Sequence, residues 1–458
     1  LDEKVIWVGT DDGNVQVTTD GGKTWTNTVA NIQGLPKNTW CYHIEASVHN
    51  KGTAYAVFEG HARNDMKPYV YKTTDFGKTW ASITTPEIET FARNIQEDFV
   101  NPDLLFLGTE MGLYITVDGG KSWNKFKNNM PSVAVHYIDL HEKTSDLVLG
   151  THGRGIIIID DISPLRQVSE EALNKEVHFF TTKPTVMKEE SGFGGGSTEL
   201  EYVGPNPSSE AKIIYYLKKR HTFGKMSLEI FDPSGKKVAD LPASKSKGIN
   251  IVRWNYSYKR PKVATGKTIS FGGFATSRVP AGTYKVVLTK GKETFEHSFD
   301  LQYDPKSNMS GQDQITKHNI EMEMYKMTED LAYMVYEIDE LSTKANELKV
   351  NAKLKKSATA FDKELQDIKK TLVITTGDNY VGSAEPELRE KLGALYSKVS
   401  SGFNVPSATD LENFDALKER FNTAKNNFAK AKSSFWPKLE AGLEKPLTLK
   451  TFEEYVSE

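Results

Sequence analysis

The side chains best suited to binding chemistry are a histidine and an arginine in the segment THGRG, His152 and Arg154. Three glycines, Gly150, Gly153 and Gly155, surround them and indicate a tightly turned backbone that presents both side chains together. An arginine fork on a rigid turn suits recognition of a carboxylate, including a peptide terminus. We therefore predict that His152 and Arg154 bind a ligand. The alternative is that Arg154 only fixes the local fold by bonding neighbouring carboxylates or backbone carbonyls.

Acidic side chains could instead support hydrolysis of a sugar, which needs two carboxylates roughly 5 to 10 Å apart across a cleft. The first third of the chain offers Asp11, Asp12, Glu59, Asp65, Asp98, Glu110, Asp160 and Asp161. The acids at 11, 12 and 110 occupy the same turn in two repeats, which favours a role at a hairpin tip. Asp160 and Asp161 follow a run of isoleucines, which favours capping of a strand end. The sequence therefore predicts no catalytic residue among them.

The sequence contains few patterns typical of metal or cofactor binding. Two groups of histidines occur in the first third: His43, His49 and His61, then His136, His141 and His152. None has the paired spacing of a zinc site, which favours hydrogen-bonded or solvated loop histidines. No glycine-rich phosphate loop precedes a helix, and no Ser-His-Asp or Cys-His arrangement has motif context. We predict neither metal nor cofactor, and we expect the single Cys41 to be a small buried hydrophobe rather than a reactive thiol.

The elements that position these residues are set by a repeated motif. TTDGGKTW, TTDFGKTW and TVDGGKSW occur at residues 18–25, 73–80 and 116–123. In each copy the Asp can bond backbone amides of a tight turn, a Gly supplies a positive φ, and the Trp packs under the hairpin. We predict a structural role for these residues: Asp20, Gly22, Trp25, Asp75, Gly77, Trp80, Asp118, Gly120 and Trp123. Their spacing suits one four-stranded propeller blade per copy.

Longer segments carry a family resemblance. PYVYKTTDFGKTW (68–80) followed by GTHGRGIIIIDDISPLRQ (150–167) resembles the large bacterial sortilin-like, Asp-box (BNR repeat) propeller proteins, which are often labelled glycosyl hydrolases and are common among Bacteroidota. The resemblance implies a β-propeller in residues 1–166 and an exported protein, in the periplasm, on the outer-membrane surface or outside the cell. Neither catalytic carboxylates nor a cysteine-rich sortilin module can be assigned to this chain.

Three or four blades do not close a propeller ring, because sheet edges and blade faces stay exposed. The chain also starts at Leu1 within a strand-like run. We therefore expect it to be the carboxy-terminal part of a longer protein. The remaining blades would lie on the same precursor or on another chain, and a hydrolytic site could use their residues.

Residues 167–205 predict a strand-containing linker that includes the segment SGFGGGS at 191–197. Residues 206–304 consist of short alternating strands separated by turns such as Pro-Ser-Gly and Pro-Ala-Gly. They resemble the immunoglobulin-like sandwich of bacterial surface and flagellar hook-capping proteins. Trp254 then is a core anchor between two sheets, with ligand binding as the alternative.

Residues 313–435 predict four helices. Apolar residues recur in steps of four and three, for example at Met324, Met327, Leu331 and Met334. Such seams bury one another most simply as an antiparallel bundle, although one helix could instead pack on the sandwich or another subunit, and the methionines could line a peptide groove. The tail at 436–458 would cap the bundle or fold back over a neighbouring domain.

Charge and hydropathy exclude two further classes of partner from our expectations. The net charge of −3 comes from scattered charges of both signs, so nucleic acid is not an expected partner. No apolar run approaches the roughly 20 residues that span a bilayer. We predict a non-catalytic exported scaffold that binds protein, peptide or glycan within a cell-envelope or secreted assembly. The alternative is the carboxy-terminal part of a polysaccharide-acting glycoside hydrolase whose active site lies mainly on missing blades.

Overall fold

A computed structural model describes residues 1–189, 208–268, 270–376 and 385–457. The described chain is mostly β with a helical carboxy-terminal region, as predicted. It divides into two compact units. The first comprises Leu1–Thr182, Ile214–Arg220 and Ser246–Asn250. The second comprises the remaining ranges, which are Lys183–Ile213, His221–Lys245 and Ile251–Glu458.

The front of the first unit consists of four small antiparallel sheets. Their strands are β1 (Ile6–Gly9), β2 (Val15–Thr18), β3 (Thr26–Asn27), β4 (Trp40–Ala46), β5 (Ala54–Gly60), β6 (Asp65–Thr73), β7 (Ala81–Ser82), β8 (Ala92–Glu97), β9 (Leu105–Thr109), β10 (Gly112–Thr116), β11 (Asn124–Lys125), β12 (Ala134–His141), β13 (Asp146–His152) and β14 (Ile156–Ile159). The sheet orders are β1-β2-β3, β4-β5-β6-β7, β8-β9-β10-β11 and β12-β13-β14. Each sheet therefore follows the chain as a simple meander.

Successive sheets pack face to face and enclose three apolar cores. Trp7 of the first sheet meets Trp80 of the second edge to face, at 5.9 Å between ring centroids. The next two cores lie between the second and third sheets and between the third and fourth. β5 is buried along its whole length because its sequence AYAVFEG is packed on both faces. This sheet-on-sheet arrangement is that of consecutive propeller blades.

The three motif aspartates close the turns after β2, β6 and β10. Asp20 accepts hydrogen bonds from the backbone amides of Lys23 and Thr24, each at 2.9 Å. The equivalent bonds reach Asp75 from the amide of Thr79 at 2.9 Å and Asp118 from that of Ser122 at 3.0 Å. The glycines of these turns, Gly22, Gly77 and Gly120, have positive φ angles of 90°, 77° and 94°.

The motif tryptophans differ in burial. Trp123 is 2% exposed and donates from Nε1 to the carbonyl oxygen of Ile83 in the preceding sheet, at 2.7 Å. Trp80 is 9% exposed, whereas Trp25 is 44% exposed and donates to Gly22 of its own turn at 3.2 Å. The same motif therefore gives a buried tryptophan only where a neighbouring sheet covers it.

The middle of the chain adds one short helix, α1 (Glu170–Asn174), and two further sheets. Their strands are β15 (Val177–Phe180), β16 (Thr185–Met187), β17 (Ala211–Leu217), β18 (Met226–Phe231), β19 (Lys237–Leu241), β20 (Gly248–Trp254), β21 (Gly282–Lys290) and β22 (Glu293–Tyr303). The orders are β15-β17-β20 and β16-β22-β21-β18-β19, in which β16 and β22 are parallel. Trp254 is 2% exposed and packs edge to face on Tyr284 and Phe299. The predicted SGFGGGS linker lies outside the described residues.

The helices are α2 (Gly311–Leu348), α3 (Lys355–Leu372), α4 (Leu388–Ser401), α5 (Ala408–Glu440) and α6 (Phe452–Ser457). α2 and α5 each begin with a capping box, formed by Ser310 with Asp313 and by Ser407 with Asp410. The apolar seams of α2, α3, α4 and α5 share one core. α5 continues through Pro437, beyond the predicted end at residue 435.

The tail returns to α2. Tyr455 of α6 stacks on Tyr336 with ring centroids 4.8 Å apart. Tyr333 donates from its hydroxyl to the carbonyl oxygen of Lys450 at 2.8 Å. Lys259 donates to the carbonyl oxygen of Ser457 at 3.1 Å, so the tail contacts the segment after β20 as well as α2. Both predicted roles of the tail, capping the bundle and folding back over a neighbouring domain, stay predictions.

Candidate binding site on the propeller face

The THGRG segment forms the turn between β13 and β14. Gly153 and Gly155 have positive φ angles of 102° and 64°, which explains why glycine occupies both positions. The amide and the hydroxyl of Thr151 both donate to the carbonyl oxygen of Gly155, at 3.1 and 2.6 Å. His152 and Arg154 are exposed on this closed turn. The turn therefore exposes both His152 and Arg154, and their role in binding stays a prediction.

His152 belongs to a histidine pair. Its ring stacks on His136 of β12, with centroids 5.2 Å apart and planes inclined by 16°. Burial lowers the pKa of His136, and the positive charges of Arg93 and His152 lower it further, whereas Glu110 opposes the shift. Nε2 of His136 is buried and has no hydrogen-bond partner among the described residues. The pair therefore presents a neutral inner imidazole beneath an exposed one.

Arg93, at the start of β8, forms a compensated ion cluster beside the pair. Nη1 donates to Glu59 at 2.9 Å, and Nε and Nη2 donate to Glu110 at 3.1 Å. Glu59 also contacts His61, and its side chain is 1% exposed. The guanidinium lies over the ring of Phe91 at 5.0 Å. Sequence reasoning missed Arg93 as a member of this cluster. The acids that bond Arg93 come from other hairpins. The local sequence therefore shows only an arginine at the start of a strand.

Arg154 differs from the other arginines of this region. It makes no hydrogen bond or ion pair with any residue in the described ranges. The arginine that does fix the last sheet is Arg166, which holds Asp98 with two forked bonds at 2.8 and 2.9 Å and donates to Ser145 at 2.9 Å. Arg166 therefore performs the structural role that was the alternative for Arg154, and the donors of Arg154 bond no described residue.

Most acids of the propeller have local partners. Glu59, Glu110 and Asp98 pair with arginines as described, and Asp65 accepts from the hydroxyl of Tyr69 at 2.7 Å. The hydroxyl of Thr10 lowers the pKa of Asp12. Asp161 accepts from the hydroxyl of Ser163 at 2.6 Å, next to the end of β14. Most of the candidate carboxylates therefore form hydrogen bonds or ion pairs within the fold.

Asp11 and Asp160 have no hydrogen bond or ion pair with a described residue, and Asp11 lines a cleft on the same unit. The cleft has a volume of about 370 Å³ and is bordered by Asp11, Trp40, Glu59 and Arg63. Trp40 is 42% exposed and lies 4.9 Å from Tyr42 between ring centroids. The exposed indole of Trp40 provides an apolar face beside polar groups. Clefts that bind small molecules combine apolar and polar side chains in this way.

Three further properties concern the described ranges only. No three side chains of His, Cys, Asp or Glu in these ranges converge as metal ligands. None of the helices found there combines the length and the apolar character that crossing a bilayer requires. Cys41 is buried, and burial raises the pKa of its thiol to about 12.

Two family models match the chain. Residues 68–182 match Sortilin-Vps10, described as sortilin, neurotensin receptor 3, and residues 16–27 match the BNR/Asp-box repeat. The predicted sortilin-like, Asp-box character of the front of the chain is thereby confirmed. Comparison of the sequence with curated proteins gives no match.

Solved structures give weaker similarities. The GH74 enzyme of Niastella koreensis is 15% identical with a TM-score of 0.29, covering 64% of this chain and 47% of that one. The extracellular domain of the putative one component system BT4673 from B. thetaiotaomicron is 11% identical, with a TM-score of 0.27 and coverages of 66% and 36%. YCF48 from Cyanidioschyzon merolae is 14% identical, with a TM-score of 0.24 and coverages of 65% and 81%. The chain thus spans less than half of the first two proteins.

Proposed function

We propose that this chain, whose residues 68–182 match the sortilin model and whose residues 16–27 match the Asp-box repeat, is part of an exported, non-catalytic interaction scaffold. Its propeller face binds a protein or peptide partner through a carboxylate. Residues 206–304, as an immunoglobulin-like sandwich, and residues 313–435, as an antiparallel bundle, act as spacer and docking parts of a cell-envelope or secreted assembly. The receptor named by the matched family supports a binding role.

One observation carries this proposal: Arg154 is exposed and uncompensated on a rigid turn. Arg93 in the same unit is compensated by contrast, because it is shared by Glu59 and Glu110. A carboxylate that approaches Arg154 therefore gains a forked, charge-assisted pair without displacing an existing one. His152, stacked on His136, supplies a second donor on the same turn.

The proposal is tested with peptides on the intact protein. The probes are a panel of unstructured nonapeptides, each made with a free carboxy terminus and with an amidated one. Binding is expected for free carboxylates and to weaken at least about tenfold on amidation, since a charge-assisted hydrogen bond is lost. Arg154→Ala is expected to weaken binding by a similar factor, and Arg154→Lys by less, because lysine keeps the charge and loses the fork.

Arg253→Ala is the matched control, because Arg253 is exposed on β20 and has no hydrogen bond or ion pair with the residues that the structure describes. This variant is expected to bind like the wild type. Equal binding of free and amidated peptides, or wild-type affinity in Arg154→Ala, would contradict carboxylate recognition at this turn.

A second candidate is a glycan site in the cleft of Asp11, Trp40 and Glu59. The exposed indole beside two acids favours it. Hydrolysis there is less well supported than binding, because Glu59 already bonds Arg93 and His61. Trp40→Ala is expected to abolish any binding of xyloglucan oligosaccharides and to leave peptide binding unchanged. Retained oligosaccharide binding in this variant would remove the cleft from consideration.

A further inference from the structure

A second, smaller cavity lies in the second unit, where β16, the segment before β21 and the start of α2 come together. Its lining includes Glu189, Arg278, Lys317, His318 and Glu321. The cavity has a volume of about 50 Å³, several times the roughly 10 to 15 Å³ that one buried water needs. The cavity is therefore large enough for a solute of a few heavy atoms.

A buried ion pair forms one wall of this cavity. Lys317 and Glu321, one turn apart on α2, contact each other with side chains only 11% and 4% exposed. Burial raises the pKa of Glu321, against the opposing effect of Lys317. Such a pair contributes little to stability, because the loss of hydration offsets the attraction. Clustering of buried charges at a cleft is typical of functional sites.

Arg278 and Glu189, on the other walls, carry opposite charges, and each has polar atoms without a hydrogen-bond partner among the described residues. Arg278 donates from Nη1 to the carbonyl oxygen of Lys188 at 2.9 Å, and within the described part of the chain its Nε and Nη2 have no acceptor. Glu189 accepts from Ser307 and Gln314 through Oε1 alone, and no described residue donates to Oε2. A cationic donor and an anionic acceptor therefore line the same space.

The remaining lining combines a hydrogen-bond acceptor with an apolar wall. Nδ1 of His318 lies 3.1 Å from the carbonyl oxygen of Arg278, which leaves Nε2 as a hydrogen-bond acceptor. Met187, Met309 and Phe403 supply an apolar wall, and the Arg278 guanidinium lies 5.7 Å from the centre of the Phe403 ring. The lining thus offers donors, acceptors and an apolar surface within one small volume.

We propose that this cavity binds a small zwitterion of the α-amino acid class. Its carboxylate accepts from Arg278, its ammonium donates to Glu189 and to Nε2 of His318, and a short side chain contacts the methionines. Each charge of the ligand meets an opposite charge, so the complex buries no net charge. A simple anion leaves Glu189 unpaired, and a simple amine leaves Arg278 unpaired. This binding is independent of the carboxylate site on the propeller.

The test is calorimetric titration of the whole chain with glycine, L-alanine and L-serine. Saturable binding of at least one is expected. Propionate, which lacks the ammonium, and alaninamide, which lacks the carboxylate, are expected to bind at least about tenfold more weakly than alanine. Absence of binding by all three amino acids, or equal affinity for propionate and alanine, would overturn the proposal.

Variants locate the binding. Glu189→Gln keeps an acceptor for Ser307 and Gln314 and removes the charge, so it is expected to fold normally and to weaken binding about tenfold or more. Arg278→Gln is expected to do the same, with circular dichroism as the check of its fold. Glu293→Gln, at an exposed hairpin position, is the matched control and keeps full affinity. Unchanged affinity in Glu189→Gln and Arg278→Gln would place the binding elsewhere and overturn the assignment.

Discussion

Replacement of Asp118 by alanine tests whether the motif aspartates are structural. Asp118 accepts hydrogen bonds from the amide of Ser122 at 3.0 Å, the hydroxyl of Ser122 at 2.6 Å and the hydroxyl of Thr116 at 2.6 Å. Alanine removes all three. At about 0.5 to 1.5 kcal/mol for each bond, with water replacing part of the loss at a partly exposed turn, we expect about 1 to 3 kcal/mol less stability.

The assay is thermal unfolding of the protein followed by circular dichroism. For a unit of this size, that loss lowers the melting temperature by about 2 to 12 °C. Asp118→Asn is the matched variant, because it keeps an acceptor for the Ser122 amide, and its melting temperature is expected to fall between those of wild type and alanine. Peptide binding at Arg154 is expected to persist wherever the alanine variant stays folded. An unchanged melting temperature together with lost binding would refute the structural role.

Three further predictions concern other parts of the chain. Gly393→Ala is expected to lower the free energy of unfolding by about 1 to 3 kcal/mol in a denaturant melt, because the new methyl would lie 2.8 Å from the amide nitrogen of Gly272. Gly311→Ala, whose methyl would meet no atom within 4 Å, is the neutral control. Equal stabilities of the two variants would contradict the close approach of Gly393 and Gly272. The hydrogen bond from the Thr24 amide lowers the pKa of Asp20 in the folded protein to about 2, below its ordinary 3.8. The contribution of Asp20 to stability is therefore present above about pH 4 and lost as the pH falls towards 2. Asp20→Asn is expected to flatten this decline of the melting temperature in acid, and an unaltered pH profile would show that Asp20 does not cause the decline. Residues 313–435 expressed alone are expected to give a helical spectrum and a cooperative melt, whereas a disordered spectrum would mean that the seams need other partners.

Local sequence signals anticipated much of the fold. The Asp-box turns follow from residues a few positions apart, so their glycines and aspartates could be assigned directly. The apolar seam of α2 was also readable, because a helical face repeats within one segment. The Bacteroidota source, the immunoglobulin-like sandwich and the bundle arrangement stay predictions.

Contacts between distant segments could not be read in the same way. Arg93 takes its two acids from other hairpins, and Arg166, which follows β14, bonds Asp98, which follows β8. Which residues meet there depends on how successive sheets stack, and no local pattern encodes it. The burial of Trp123 but not Trp25 has the same cause, since identical motifs meet different neighbours.

We propose that this chain binds a partner and hydrolyses no sugar. The most direct measurement is release of reducing sugar from xyloglucan, β-glucan and a sialoside by the intact protein, compared with Asp11→Asn and Glu59→Gln. We predict no release above the substrate blank by wild type or either variant. Sugar release by the wild type that is abolished in Asp11→Asn or Glu59→Gln would contradict the scaffold and establish a hydrolase.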